Sequence, residues 1–442
     1  MTDPESEDFR EMLRRFLENG EEFDIQKFAK AAGLPGDPQA LQAMMAQLQA
    51  ALAQGGPGIT EQLVRDTATK VANARAVSVD SPVGEAATTA LNLASLWLDE
   101  VTSVSPLTAT PTLMTRPEWA RATLAGWISI AEPVANSIAN ATERLLTEQL
   151  GDDTEAHKRG ALDALSRLSG SLFSIQLGQV VGQLASEVTS GSDLGFPLLD
   201  GSADYELRAV LIPQNVAAFA DGLDTPMSDV LVYLAAREIA HARLFKHAKW
   251  LKLGLISSIT DYANGISINS ERIREVMDDV DLSDPQAIQR LMGDGALIPP
   301  KTDAQRAALA RIETLLALVD GWVDVVTEQA VSRLPTKDSI AEMVRRNRAT
   351  GRPGEKALAG LIGIEARPRR LREAAALWRA IDGAVGREVR DSLWAHPDIL
   401  PTSADIDDPG ALIARLTGPV PAPDALDDEL RKILDEGTVD EG

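Results

Sequence analysis

Glu238 and His241 carry the most chemical promise in this sequence, within Arg237-Glu238-Ile239-Ala240-His241. A helical zinc site uses this spacing: two imidazoles four residues apart share a face, and the glutamate between them acts as base on the metal-bound water. Here Arg237 occupies the first imidazole position. A guanidinium stays protonated and has no lone pair to give, so Arg237 is not a ligand. Its charge, one helical turn from His241, also opposes a divalent ion. His247 follows His241 by six residues, the distance of a third imidazole in the extended form of the pattern. Leu244 stands where that form has its turning glycine, and a helix continuing through it points His247 about 180° from Glu238.

The stretch 226–250 must position these residues, and it reads as one helix. Pro226 suits a first turn, where its missing N–H is not needed, and no Gly or further Pro interrupts the run to Trp250. At about 100° per residue, Met227, Leu231, Leu234 and Phe245 define an apolar face. Glu238 falls in the middle of that face and His241 about 60° from it. An inward carboxylate and imidazole are costly unless paired or bound. Upstream, 205–213 (YELRAVLIP) has the alternation and β-branching of a strand. Downstream, 303–333 predicts a long helix with Ile312, Leu315, Leu316, Val319, Trp322, Val323 and Val326 in its apolar arc. Glu313, Asp320 and Asp324 run along one edge of that arc. Ser174, Gly178 and Gly182 share one side of another helix. They predict close helix packing rather than a phosphate loop, since no basic residue and hydroxyl follow in the required order.

Composition narrows the alternatives. The chain has 442 residues, is 44% hydrophobic and only 4% aromatic, and its periodic segments are rich in Ala and Leu. A mainly α protein with a small β element follows, large enough for a sizeable core. The net charge of −23 predicts repulsion from nucleic acid and anionic membranes. There is no cysteine, so any metal site must use His, Asp or Glu. The acidic N-terminus lacks a signal pattern and no run of 18 apolar residues occurs, which predicts a cytoplasmic protein.

The punctuation suggests three parts. Residues 1–58 form a helical appendage with a Met/Leu stripe at Leu41, Met44, Met45, Leu48 and Leu52, ending in a Gly/Pro linker at 55–58. Residues 59–415 form the body, with Trp97, Trp119 and Trp127 as core or groove aromatics. Residues 416–442 form an acidic tail. Helices are also expected around 270–280 and 284–292. The basic stretch 345–372 lacks interleaved aromatics and is expected to pair with the chain's own carboxylates rather than with nucleic acid. Of the remaining histidines, His157 is expected at the surface and His396 in a turn.

The segments REIAHARLFKHAKWL, GIEARPRRLREAAALW and SLWAHPDILPTSADIDDP resemble a bacterial family of zincin-like metallopeptidases, described as candidate zinc-dependent hydrolases. The likeness spans most of 80–415 and implies a zincin-like fold with helical extensions. Some relatives carry the full H-E-x-x-H and a later L-x-E-G-H/Y segment. The matching stretch here is Leu318-Val319-Asp320-Gly321-Trp322, so the resemblance implies Asp320 as a downstream ligand in place of Glu.

Three readings stay open at this level. A zinc-dependent peptide or amide hydrolase would use Glu238 as base and His241 as ligand, with Asp320 or His247 completing the set. An inactive zincin-like scaffold would pair Arg237 with Glu238 or Asp320 and act by binding a protein partner. A metal-free hydrolase would use Glu238 and His241 as an acid–base pair.

Overall fold

The computed structural model describes residues 58–76, 81–149, 155–199, 207–266, 301–364 and 370–418. The expectations for the N-terminal appendage, the helices within 270–292 and the tail beyond 418 lie outside the described residues. So does the side chain of His157.

Helices dominate, as the composition predicts. In order, α1 is Glu61–Ala74, α2 Ser81–Asp99, α3 Arg116–Ala122, α4 Leu124–Gln149 and α5 Glu155–Leu184. Then come α6 Pro213–Ala220, α7 Met227–His247, α8 Trp250–Asn264, α9 Asp303–Ala330, α10 Lys337–Thr350, α11 Pro353–Ile362 and α12 Leu371–Ser392. Two short helices, α13 Ser403–Asp407 and α14 Pro409–Thr417, close the described chain. No helix among the described residues is long and apolar enough to cross a membrane.

The strand expected over 205–213 shrinks to β2, Val210–Leu211, which pairs in parallel with β1, Thr112–Leu113. Ile212 already serves as N-cap of α6 and Pro213 fills its first turn, so proline ends the strand early. On its other side β2 meets residues 189–199 through an antiparallel bridge between Ser190 and Leu211. Successive β2 side chains alternate between two hydrophobic clusters. Ala209 and Leu211 enter the one built on α2, α7, α9 and α12. Val210 and Ile212 enter the one built on α1, α3, α4, α5 and α8.

The small residues of α5 meet α1, as their shared side predicts. A Cβ on Gly178 would lie 2.7 Å from Thr67 Cβ and 2.8 Å from the Val64 carbonyl, and one on Gly182 would lie 2.8 Å from the Ala68 carbonyl. Ser174 Oγ accepts from Thr60 N–H at 2.9 Å, pinning the entry to α1.

The helix carrying Glu238 and His241 differs from its expectation. Every residue from Val230 to Phe245 is buried, so α7 has no solvent face through its middle. It crosses the first cluster between α2 and α9 rather than lying over a core. That is why four charged or titratable residues on it, Arg237, Glu238, His241 and Arg243, are all buried regardless of helical phase.

Candidate functional site: a charge cluster on α7, α9 and α10

Three helices and one extended segment build the site. α7 supplies Arg237, Glu238 and His241. α9 supplies Asp320, and its start is fixed by a capping box in which Thr302 and Gln305 exchange hydrogen bonds at 3.0 and 3.1 Å. Gly321 lets α12 approach beside Asp320, since a Cβ there would lie 2.8 Å from the Ala374–Ala375 backbone. α10 supplies Arg348. Residues 189–199 cover the assembly and are buried apart from Pro197.

Asp320 is the centre. It is fully buried, and Arg237 Nη2 donates to its Oδ1 at 2.8 Å. Arg348 Nη2 donates to Oδ2. His241 Nε2 lies 3.2 Å from the same Oδ1 that Arg237 holds, while His241 Nδ1 lies 3.2 Å from the Arg237 carbonyl. Burial opposes ionisation of Asp320, but Arg348, His241 and Arg237 together outweigh it and hold the carboxyl far below the usual carboxylate range. Burial pushes His241 below its ordinary value, and the charges on Arg237 and Arg348 push the same way. The neutral ring then places its proton on Nε2 towards Asp320, because an ionised carboxylate is a stronger acceptor than a carbonyl. A metal bound through Nε2 would need that nitrogen bare, and Nδ1 faces the Arg237 carbonyl.

Glu238 faces a different set of partners. Its carboxylate accepts from Val210 N–H at 3.0 Å and Ser192 N–H at 2.9 Å, and the Ser190 hydroxyl adds a third bond. These bonds tie α7 to β2 and to the covering segment, not to His241 or Asp320. Gly191 makes the approach possible, since a Cβ there would lie 2.8 Å from Glu238 Oε1 and 2.6 Å from Leu199 Cδ1. Burial outweighs the three hydrogen bonds, and Asp193 adds repulsion, so the Glu238 carboxyl is pushed up to about 7.

The covering segment is held at its own charged residue as well. Asp193 accepts from Thr189 N–H at 2.8 Å and from Arg352 Nη1 at 2.7 Å. Gly195, at φ +77°, brings the backbone against Arg348 and Asp320. Arg348 also lies 3.9 Å from Glu355. The basic stretch is thus paired internally at Arg345 (to Asp324 and Glu328), Arg348, Arg352 and Arg370 (to Asp407).

His241 and Asp320 are therefore brought together, and Glu238 and His247 are not. His247 ends α7 and is exposed, because the helix runs unbroken through Leu244. His396 caps a single 3-10 turn, accepting from Asp398 N–H at 3.3 Å. The residues present do not fit a zinc ion. Arginines hold both oxygens of Asp320, the Glu238 oxygens face backbone amides, and no group of three or more His, Asp or Glu among the described residues is arranged to hold a metal. Arg348 and residues 189–199 are the parts that sequence reasoning missed. The only signals were a place in the basic stretch for Arg348, and two glycines with an aspartate in 189–199.

A crystal structure of a candidate hydrolase with a novel fold from Chloroflexus aurantiacus is similar over 82% of this chain and all of that one, with a TM-score of 0.53 and 18% identity, a likeness of fold alone. No curated protein matches. The family model for zincin-like metallopeptidases matches residues 59–413, and the chain belongs to that family.

Proposed function

We propose that this chain is a non-catalytic member of its family, a scaffold that acts by binding a protein partner. One observation carries the reading: Arg237, at the first-ligand position, donates to Asp320 Oδ1 beside His241 Nε2. A zinc ion between His241 and Asp320 would have to displace a guanidinium that cannot lose its proton. It would also compete with Arg348 for the same carboxylate. Activation of water needs a base that reaches the reacting atom, and Glu238 is buried with both oxygens held by amides. A metal-free acid–base pair meets the same obstacle, since Glu238 and His241 address different partners.

The deciding measurement is metal content by elemental mass spectrometry, on untagged protein dialysed against zinc. The expected result is far below one zinc per chain. Arg237→His, which rebuilds H-E-x-x-H, serves as the comparison. Near-stoichiometric zinc in the unaltered chain, lost in His241→Ala, would sink this reading and restore the metal-dependent hydrolase.

A further inference from the structure

Residues 189–193, Thr-Ser-Gly-Ser-Asp, are all buried, yet none is an apolar residue that a core would retain. Val188 and Leu194, both fully buried, flank the run. Hydrophobic burial therefore pins its two ends, and polar contacts hold what lies between. Its ladder to β2 is half made. Gly191 N–H donates to the Val210 carbonyl and Ile212 N–H to the Thr189 carbonyl, both at 3.0 Å. A regular antiparallel ladder would return the N–H groups of Val210 and Thr189 to the facing carbonyls. Here carboxylates take them: Glu238 accepts from Val210 at 3.0 Å, and Asp193 from Thr189 at 2.8 Å.

The two carboxylates differ in charge balance. Asp193 is paired with Arg352. Glu238 receives only neutral donors, the N–H groups of Val210 and Ser192 and the Ser190 hydroxyl, with Asp193 as a repelling neighbour. The charged groups of the surrounding elements are committed elsewhere. On α7, α9 and α10, Arg237 and Arg348 are spent on Asp320, beside a His241 whose ring burial keeps neutral. Glu187 beyond α5 accepts from Gly354 N–H at 2.9 Å, Glu355 of α11 faces Arg348, and Arg208, leading into β2, is itself engaged. A buried carboxyl without a counter-ion favours its neutral form. Ser190 suits that form, because a hydroxyl that donates to a carboxylate can instead accept from a carboxylic acid, which a backbone N–H cannot do.

We propose that residues 189–193 are a proton-controlled latch on β2, closed while Glu238 shares a proton with Ser190 and lifting locally between Val188 and Leu194 once Glu238 ionises. Lifting gives Glu238 access to water and frees the edge of β2, while Leu194 and Phe196 stay in the core. The Glu238 carboxyl is pushed from 4.5 up to about 7 in the closed segment, so closure is fully favoured below the lower value and is lost as pH rises through the upper one. The latch stands apart from the question of metal binding.

The test is hydrogen exchange of the full chain, read by mass spectrometry in peptides spanning 188–194. Rates are expressed as protection factors, so the intrinsic pH dependence of exchange cancels. Protection should fall on the order of tenfold to a hundredfold from pH 5 to pH 8. At pH 8 it should lie at least tenfold below that of α1. Glu238→Gln should remove the dependence. Ser190→Ala keeps both amide bonds and removes the acceptor for the acid proton, so it should move the midpoint to lower pH. Glu355→Gln alters the other carboxyl that burial raises and should leave the dependence in place. A flat profile in the unaltered chain, an unmoved midpoint in Ser190→Ala, or loss of the dependence in Glu355→Gln would overturn the proposal. So would protection equal to that of α1 at pH 8, which would mean that the run opens only with the whole fold.

Discussion

Two buried ion clusters lie close together on α9, and they are built on opposite plans. In the first, every nitrogen of the Arg390 guanidinium and both oxygens of the Asp391 carboxylate have partners. That carboxylate accepts from Arg390 Nε at 2.7 Å, Thr102 Oγ1 at 2.7 Å, Ser103 N–H at 2.8 Å and Trp322 Nε1 at 2.9 Å. The remaining Arg390 donors reach Gln329, Asp382 and the Val101 carbonyl at 2.9–3.1 Å. Around Asp320, two guanidiniums and an imidazole converge on one carboxylate. Arg237 Nε, Arg348 Nε, Arg348 Nη1 and Glu355 Oε1 have no hydrogen-bond partner among the described residues. The first cluster is a saturated cross-link between α9, α12 and residues 101–103, which follow α2. In the second, charge is balanced but hydrogen-bonding capacity is left over. One of the four atoms belongs to the arginine at the first-ligand position, and the other three lie where Arg348 stands 3.9 Å from Glu355, an ion pair too long for a hydrogen bond.

Substitutions turn this contrast into measurements. The largest effect is expected at the carboxylate that serves both arginines. Asp320→Ala leaves Arg237 and Arg348 buried without their shared anion and should cost about 3–5 kcal/mol in denaturant unfolding. A neutral result would remove the cluster from the fold's support altogether. Next comes a paired comparison of methionine substitutions. Arg390→Met strands Asp391 and should also cost about 3–5 kcal/mol. Arg237→Met should cost only about 1–3 kcal/mol, because Arg348 still neutralises Asp320. The reverse order would break the distinction between a saturated and an unsaturated cluster.

The smallest effect is read in pH dependence. Glu238 is pushed up to about 7 in the fold, so the native state holds a proton that the unfolded chain releases at lower pH. Its contribution to stability is fully present below the unfolded value and is lost as pH rises through about 7. Over that window the change is at most about 3 kcal/mol. Glu238→Gln should flatten the fall in stability between about pH 5 and 7, by comparing unfolding of the two proteins. An unchanged slope in the variant would assign the titration elsewhere.

Part of this is legible in the sequence alone. The R-E-x-x-H segment and its downstream companions pointed to the family. The loss of a lone pair at Arg237 followed from side-chain chemistry, and the glycine side of α5 followed from helical phase. Asp320 was already a candidate partner, on the resemblance of 318–322 to a ligand segment. Three features were not legible. The phase of 226–250 suggested a single inward face, but α7 is enclosed on all sides, a property of its neighbours. Glu238 binds backbone amides of Ser192 and Val210, which carry no residue-type signal. Arg348 looked like one arginine of a basic run, yet it is buried against a carboxylate 28 residues away.

The sequence by itself determined the inventory: a helical protein of this family, without cysteine, whose motif carries a permanent cation where a ligand belongs. Those are properties of residue type and local spacing, and they hold before the chain folds. Only the tertiary structure decided how that cation is used. The crossing of α7, α9 and α10 brings Arg237, His241, Asp320 and Arg348 together, and the burial of residues 189–199 turns Glu238 away from them. The energy of a charge depends on the distance and dielectric between groups far apart in sequence, and only packing sets those.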